Sequence, residues 1–379
     1  KLNVPHLRFP EFHGEWEKHG LSEYLDFKNG LNPDSKRFGK GIKFISVMDI
    51  LNNPVITYDC IRASVQATDA EISSFSVENG DILFQRSSET LEDVGRANVY
   101  IDDKVAVFGG FVIRGKKKAS YNPLFFRYLL SSPYARKRII PMGAGAQHFN
   151  IGQEGLSKVL LNFPSIEEQI KIASLLHLLD ERIATQSKLI EKLESLIKGI
   201  SSRFFASIQG IEYRMGDIVT ITNGNSNVQD AVTQSKDGLY PFFDRSEDIK
   251  YLPTFLFDKE AIIYPGEGTE FMPRYFKGKF ALHQRCYAIF DFNEIINARF
   301  LYFYLKTRNS YFVKNAVGST VPSLRLDTFQ KLKVIIPPKK IQYSVSLCLS
   351  FMEQKCNIEK KILHKLLKQK QYLLRQMFI

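Results

Sequence analysis

Slid along itself by 173 positions, this chain of 379 residues falls into register with itself, and that repeat constrains the fold more than any other feature. Gly145 falls on Gly318, Ile151 on Leu324, Lys158 on Lys331, Pro164 on Pro337 and Gln169 on Gln342. The register continues without a gap through Ile172 on Val345, Leu176 on Leu349, Lys188 on Lys361, Leu193 on Leu366 and Phe205 on Phe378. Upstream the halves drift, yet Lys28-Asn29-Gly30 resembles Thr222-Asn223-Gly224, and Asn122, Phe125 and Leu130 parallel Asn297, Phe300 and Leu305. A chain that repeats its joints while its bodies diverge builds one scaffold twice and presents two unlike surfaces on it.

Each repeat ends in a predicted long helix. The first starts at Pro164-Ser165, with Ser165 as N-cap and Glu168 completing a capping box. Its apolar residues, Leu176, Leu179, Ile183, Ile190, Leu193, Ile197, Ile200 and Phe204, are spaced three and four apart, with Gln186 the one polar member of the seam. The second starts at Pro337-Pro338 and carries Leu349, Met352, Cys356, Glu359, Leu363, Leu366, Lys370, Leu373 and Met377 at matching positions. Gln186 and Glu359 occupy the same point of the repeat, near the middle of helices roughly 60 Å long. If the helices pack antiparallel about a pseudo-twofold axis, these two residues meet in a polar layer that fixes register; if not, both face water.

The bodies, 17–163 and 211–336, read as short apolar strands such as Ile82-Leu83-Phe84, Val105–Phe108, Ala261–Tyr264 and Tyr287–Phe290, followed in each body by an aromatic helix, Leu124–Leu130 or Phe300–Leu305. The fold class is therefore α+β. A hydrophobic share of 44% with 30 Phe and 17 Tyr excludes disorder, and a net charge of +12 favours a polyanion, nucleic acid before membrane, because neutralising phosphates releases counterions. No apolar run is long enough to span a bilayer, and no signal peptide is visible. Cys60, Cys286, Cys348 and Cys356 never form a C-x-x-C pair, so they read as reduced thiols of a cytoplasmic protein.

Catalytic and metal motifs fail one by one. Gly110–Lys117 nearly spells a phosphate-binding loop, but Lys117 stands where a Ser or Thr must hold Mg²⁺, and Phe111-Val112-Ile113 is strand material. Gly143-Ala-Gly145 opens no βαβ unit. The seven histidines show no metal spacing, and Asn53-Pro54-Val55 lacks the second proline and the aromatic ring of an adenine methyltransferase motif. The expectation is a binding protein with no catalytic residue, no metal and no cofactor.

At this point the chain resembles the specificity subunit of type I restriction-modification systems. The resemblance rests on the leader Val4-Pro-His-Leu-Arg-Phe-Pro-Glu-Phe-His-Gly-Glu-Trp16, on Pro164-Ser-Ile-Glu-Glu-Gln169 and its degenerate copy Pro337-Pro-Lys-Lys-Ile-Gln342, and on the tandem layout. It implies two target-recognition domains, 1–163 with the leader and 211–336, separated by two long antiparallel coiled-coil helices, 164–206 and 337–379, in a pseudo-twofold internal repeat. Each domain would read one half of a split, asymmetric site in double-stranded DNA. The implied partners are two modification (methyltransferase) subunits and restriction (endonuclease and translocase) subunits, which would hold S-adenosylmethionine, ATP and Mg²⁺. One departure stands out: Lys340-Ile341 replaces Glu167-Glu168 in the second copy.

For contact with bases, polar and basic residues in turns are the candidates. In the first body these are Lys36, Arg37, Lys40, Arg86, Ser87, Ser88, Gln147, His148 and Asn150; in the second, Asn225, Asn227, Arg245, Arg274, Lys277, Ser319, Thr320 and Ser323. Gln147-His148 and Ser319-Thr320-Val321 lie just past the paired glycines, at equivalent sites of the repeat. The competing readings are a stand-alone sequence-specific DNA-binding protein and a coiled-coil scaffold without enzymatic activity.

Overall fold

The computed structural model describes residues 3–145 and 147–379. They group into two compact units, Lys1–Ser187 with Ile362–Ile379, and Lys188–Lys361. Each unit therefore combines one body with a part of both long helices, Ile166–Ser207 and Lys339–Gln376.

Unit one carries two four-stranded sheets. In the first, Leu25–Asn29, Val112–Lys117, Ile82–Gln85 and Ala97–Val99 pair in that order, all antiparallel. Ile82-Leu83-Phe84 is fully buried, which is why this strand reads as an unbroken apolar run rather than an alternating one. In the second sheet Phe38–Ile45 runs parallel to Ala106–Phe108, with Phe44 opposite Val107 and Ile45 opposite Phe108. Unit two carries one six-stranded sheet, in the order Thr220–Asn223, Cys286–Phe290, Phe257–Pro265, Arg274–Leu282, Tyr240–Phe243, Lys250–Leu252. Its one parallel pair, Phe242 opposite Ala281 and Phe243 opposite Leu282, matches the parallel pair of unit one.

The repeat seen in the sequence is a repeat of hydrogen bonds. Asn122 and Asn297 cap the aromatic helices Pro123–Ser131 and Ala298–Lys306, each accepting from the amide three residues on at 2.9 Å. The Gln169 side chain accepts from the Asn122 amide (3.1 Å) and donates to the Pro164 carbonyl (3.1 Å). Gln342 does the same with Asn297 (2.8 Å) and Pro337 (2.9 Å). About three turns further along each long helix, Tyr128 donates to Asp180 (2.9 Å) and Tyr302 to Glu353 (2.7 Å). Each long helix is thus pinned to its own body by the same set of buried and half-buried bonds.

The helices are antiparallel within each unit. In unit one Glu168 reaches Trp16, whose ring meets Phe378, while Asp180, farther along, pairs with Lys370, nearer the start of the second helix. In unit two Glu194 pairs with Lys360 at 2.6 Å, and Phe205 shares a core with Leu349. Leu176, Leu179 and Ile190 are buried as the seam requires, but at the far end the expectation is corrected: Ile200 is exposed, and Ser201 and Phe205 are buried instead. A strict seven-residue repeat drifts about 20° per heptad on a straight helix, so after four heptads the buried line has moved by nearly one residue. Glu359 is buried and pairs with Lys355, whereas Gln186, in the other unit, is half-buried.

The capping box at Ser165 is also only half made. Ser165 Oγ accepts from the Glu168 amide at 3.4 Å, but the Glu168 carboxylate is 1% exposed and takes two bonds from Arg8 (both 2.8 Å) and one from Trp16 Nε1 (3.3 Å). The leader claims the carboxylate because a bidentate, charge-assisted pair is stronger than a bond to one amide.

Candidate nucleic-acid interface

The paired glycines lie in equivalent hairpins. Ala144 bridges Asn150 in unit one and Val317 bridges Ser323 in unit two, 173 residues later. Gly145 (φ 142°) and Gly318 (φ 102°) sit in the region that side chains disfavour, and a Cβ on Gly145 would lie 2.0 Å from the His148 carbonyl oxygen. Both hairpins dock with an equivalent backbone bond among their contacts, Ile151 N–H to the Arg86 carbonyl (2.9 Å) and Leu324 N–H to the Gly266 carbonyl (2.8 Å).

In unit one this geometry brings six of the nine candidates together from distant parts of the chain. Ser87–Ser88 pairs with Phe149–Asn150, Ser87 Oγ donates to Asn150 Oδ1, and Gln147 and His148 stand exposed at the hairpin tip. Arg86 is half-buried and donates to the Gly110 carbonyl at 3.2 Å. Lys36, Arg37 and Lys40 lie apart, at the start of Phe38–Ile45. Lys36 and Lys40 are exposed, but Arg37 is part of the scaffold: it pairs with Glu71 and donates to the Gln66 carbonyl at 2.8 Å. The Arg37 guanidinium, helped by the Thr68 amide, holds the Glu71 carboxyl down at about 2.

In unit two Ser319 and Thr320 are exposed at the hairpin tip, and Ser323 bridges Glu267. Asn225 and Asn227 are exposed on the segment after Thr220–Asn223, and Arg245 is exposed in the turn after Tyr240–Phe243. Arg274 holds that turn together, donating to the Ser246 carbonyl (2.8 Å) and the Asp244 carbonyl with its guanidinium 5.0 Å from the Phe243 ring; burial lowers its pKa. Lys277 is exposed mid-strand opposite Glu260, away from the hairpin. Beside these candidates lie His283, Gln284 and Arg285, a polar triplet between two apolar strands that carries a turn signal, and Phe111 and Met48, whose apolar character carries none.

Among the described residues no group of His, Cys, Asp or Glu is placed to hold a metal, and no helix is long and apolar enough to cross a membrane.

The sequence matches the family described as Type I restriction modification DNA specificity domain twice, over residues 13–195 and 211–368. It is 30% identical over 123 residues (32% of this chain, 26% of the relative) to the type I restriction enzyme EcoDI specificity subunit of Escherichia coli. It is 24% identical over 208 residues (54% of this chain, 48% of the relative) to the putative type I restriction enzyme MjaX specificity subunit of Methanocaldococcus jannaschii. The matched stretches thus span about a quarter and about half of these relatives' own lengths. The crystal structure of a type I restriction-modification system S subunit from M. genitalium superposes with a TM-score of 0.69 over 99% of both chains at 18% identity, a likeness of fold.

Proposed function

The chain belongs to the type I restriction modification DNA specificity family, and on that footing we propose that it is the DNA specificity subunit of such a system, each unit reading one half of a split, asymmetric site in double-stranded DNA. The observation that carries this reading is a scaffold built twice, with the same hairpin bond at Ile151 and Leu324, whose exposed tips differ: Gln147-His148 against Thr320-Val321. One docking geometry with two surfaces suits two half-sites of different sequence. The positive net charge of +12 supplies the attraction to phosphates common to both.

In this reading the chain binds and positions, and catalysis belongs to its partners: two modification subunits and, joined to them, restriction subunits, in the cytoplasm. S-adenosylmethionine, ATP and Mg²⁺ are held by those partners, which extrude the adenines to be methylated. The base contacts come from the exposed Gln147, His148 and Asn150 with the half-buried Ser87 and Ser88 in unit one, and from the exposed Asn225, Asn227, Arg245, Ser319 and Thr320 with the half-buried Ser323 in unit two, with Lys36, Lys40, Arg86 and Lys277 on phosphates. Arg37 and Arg274 support them from within the scaffold.

Mapping methyladenine in host DNA with and without this gene tests the reading. It predicts that one split motif, two specified blocks flanking an unspecified gap, loses methylation when the gene is deleted. An unchanged methylation map would refute it.

A further inference from the structure

Each body carries a groove at an equivalent place that the sequence repeat does not reveal. The turn Gly109-Gly110-Phe111 in unit one and the turn His283-Gln284-Arg285 in unit two hold the same place in their sheets. Gly109 N–H donates to Ile45 O (3.0 Å) and His283 N–H to Phe243 O (2.9 Å). Val112 N–H donates to Gly109 O (2.8 Å) and Cys286 N–H to His283 O (2.9 Å). Gly30 and Gly224 donate to Val112 O and Cys286 O, both at 3.2 Å. Beside each turn lies an open groove, about 470 Å³ in unit one and about 550 Å³ in unit two. Each groove also reaches the strand end that receives the hairpin, at Ser87 opposite Asn150 and at Glu267 opposite Ser323.

The linings are opposite in chemistry. Phe111, Met48 and Phe38 wall the first groove and are 69%, 59% and 43% exposed, a concentration of apolar surface beside a polar hairpin. Arg285, His283 and Arg245 wall the second. There Arg285 is held by Glu267 at 2.6 Å, and His283 Nδ1 accepts from the Arg285 amide at 3.2 Å, which leaves Nε2 as the ring's donor. The major groove of DNA offers one apolar group, the 5-methyl of thymine, and its commonest arginine target is the O6 and N7 pair of guanine.

Resting on the reading of the chain as a two-part DNA reader, we propose that these grooves are matched specificity pockets, one base pair each. Phe111 and Met48 take up a thymine methyl in one half-site. Arg285, oriented by Glu267 as a positioning residue, reads a guanine in the other.

The test uses the full chain assembled with its modification subunits. The complex first selects sites from a random duplex pool, and uracil then replaces each thymine of the selected site in turn. Loss of one buried methyl is expected to weaken binding about fourfold at a single position of one half-site. That effect disappears in Phe111→Ala and Met48→Ala. Arg285→Ala is expected to lose roughly ten- to a hundredfold of discrimination at one guanine of the other half-site. Arg285→Lys does not restore it, because a point charge lacks the paired donors, and Glu267→Gln shows a smaller loss at the same guanine. If the wild-type complex enriches no split site, the underlying reading is overturned. If it enriches one but uracil is neutral at every thymine, or Arg285→Ala keeps its guanine preference, the pocket proposal alone is overturned. The uracil arm needs only wild-type protein, so no misfolded variant can obscure it.

Discussion

Gln169 and Gln342 show how a single residue type ties a long helix to a folded body. Each side chain satisfies the amide that opens an aromatic helix and a proline carbonyl that opens its own helix. Removing it leaves those buried groups without partners, so Gln169→Ala and Gln342→Ala are each expected to cost about 1–3 kcal/mol, measured as a lower urea midpoint by far-ultraviolet circular dichroism. Arg37 makes a prediction of a different kind. Its partner Glu71 titrates at about 2 instead of 4.5. A depressed folded-state pKa means that the pair's contribution is fully present above about 4.5 and is lost as pH falls through about 2. Arg37→Ala should raise the Glu71 carboxyl toward the ordinary range, short of it because the Thr68 amide still donates to it, as read by its NMR titration. These two glutamines were legible in the sequence because they lie where the repeat holds register. Phe111 and Arg285 were not, because they lie where the bodies have diverged and only strand pairing shows that their turns are the same turn.

The long helices were the most legible elements, since three- and four-residue spacing needs no tertiary knowledge. What that spacing could not supply was the leader. Glu168 reads as a capping residue from its neighbours alone, but it serves Arg8 and Trp16, far away in sequence. Its counterpart by the repeat is Ile341, which is exposed, so the lost acid of the second copy marks the lack of a leader there. Glu168→Ala strips Arg8 of its carboxylate, leaving it the Gly14 and His13 carbonyls, and strands the Trp16 indole N–H in a largely buried site, an expected loss of about 3 kcal/mol, reported by the fluorescence of Trp16, the chain's single tryptophan. The first helix, 42 residues without interruption, also invites a test of length. Four residues inserted into it add roughly 6 Å, or up to about two base-pair steps. The gap between half-sites should widen while both blocks keep their bases; altered bases at an unchanged gap would show that the helix does not set the interval.

For the whole molecule, duplication explains why so much order coexists with so little visible chemistry. The scaffold repeats between the halves in the bonds that tie each helix and hairpin to its body, while the sheets differ and so do the tips and grooves, from Gln147-His148 and Phe111 on one side to Thr320-Val321 and Arg285 on the other. Such an arrangement makes the halves separable in specificity. The measurement that tests this most directly is site selection from a random duplex pool by the assembled complex carrying substitutions in one unit at a time. Changes at Ser87, Asn150 and Phe111 should alter one block of the split motif and leave the other untouched, and changes at Arg245, Arg285 and Thr320 should do the reverse. A single continuous motif, or changes in one unit that rewrite both blocks, would contradict the account.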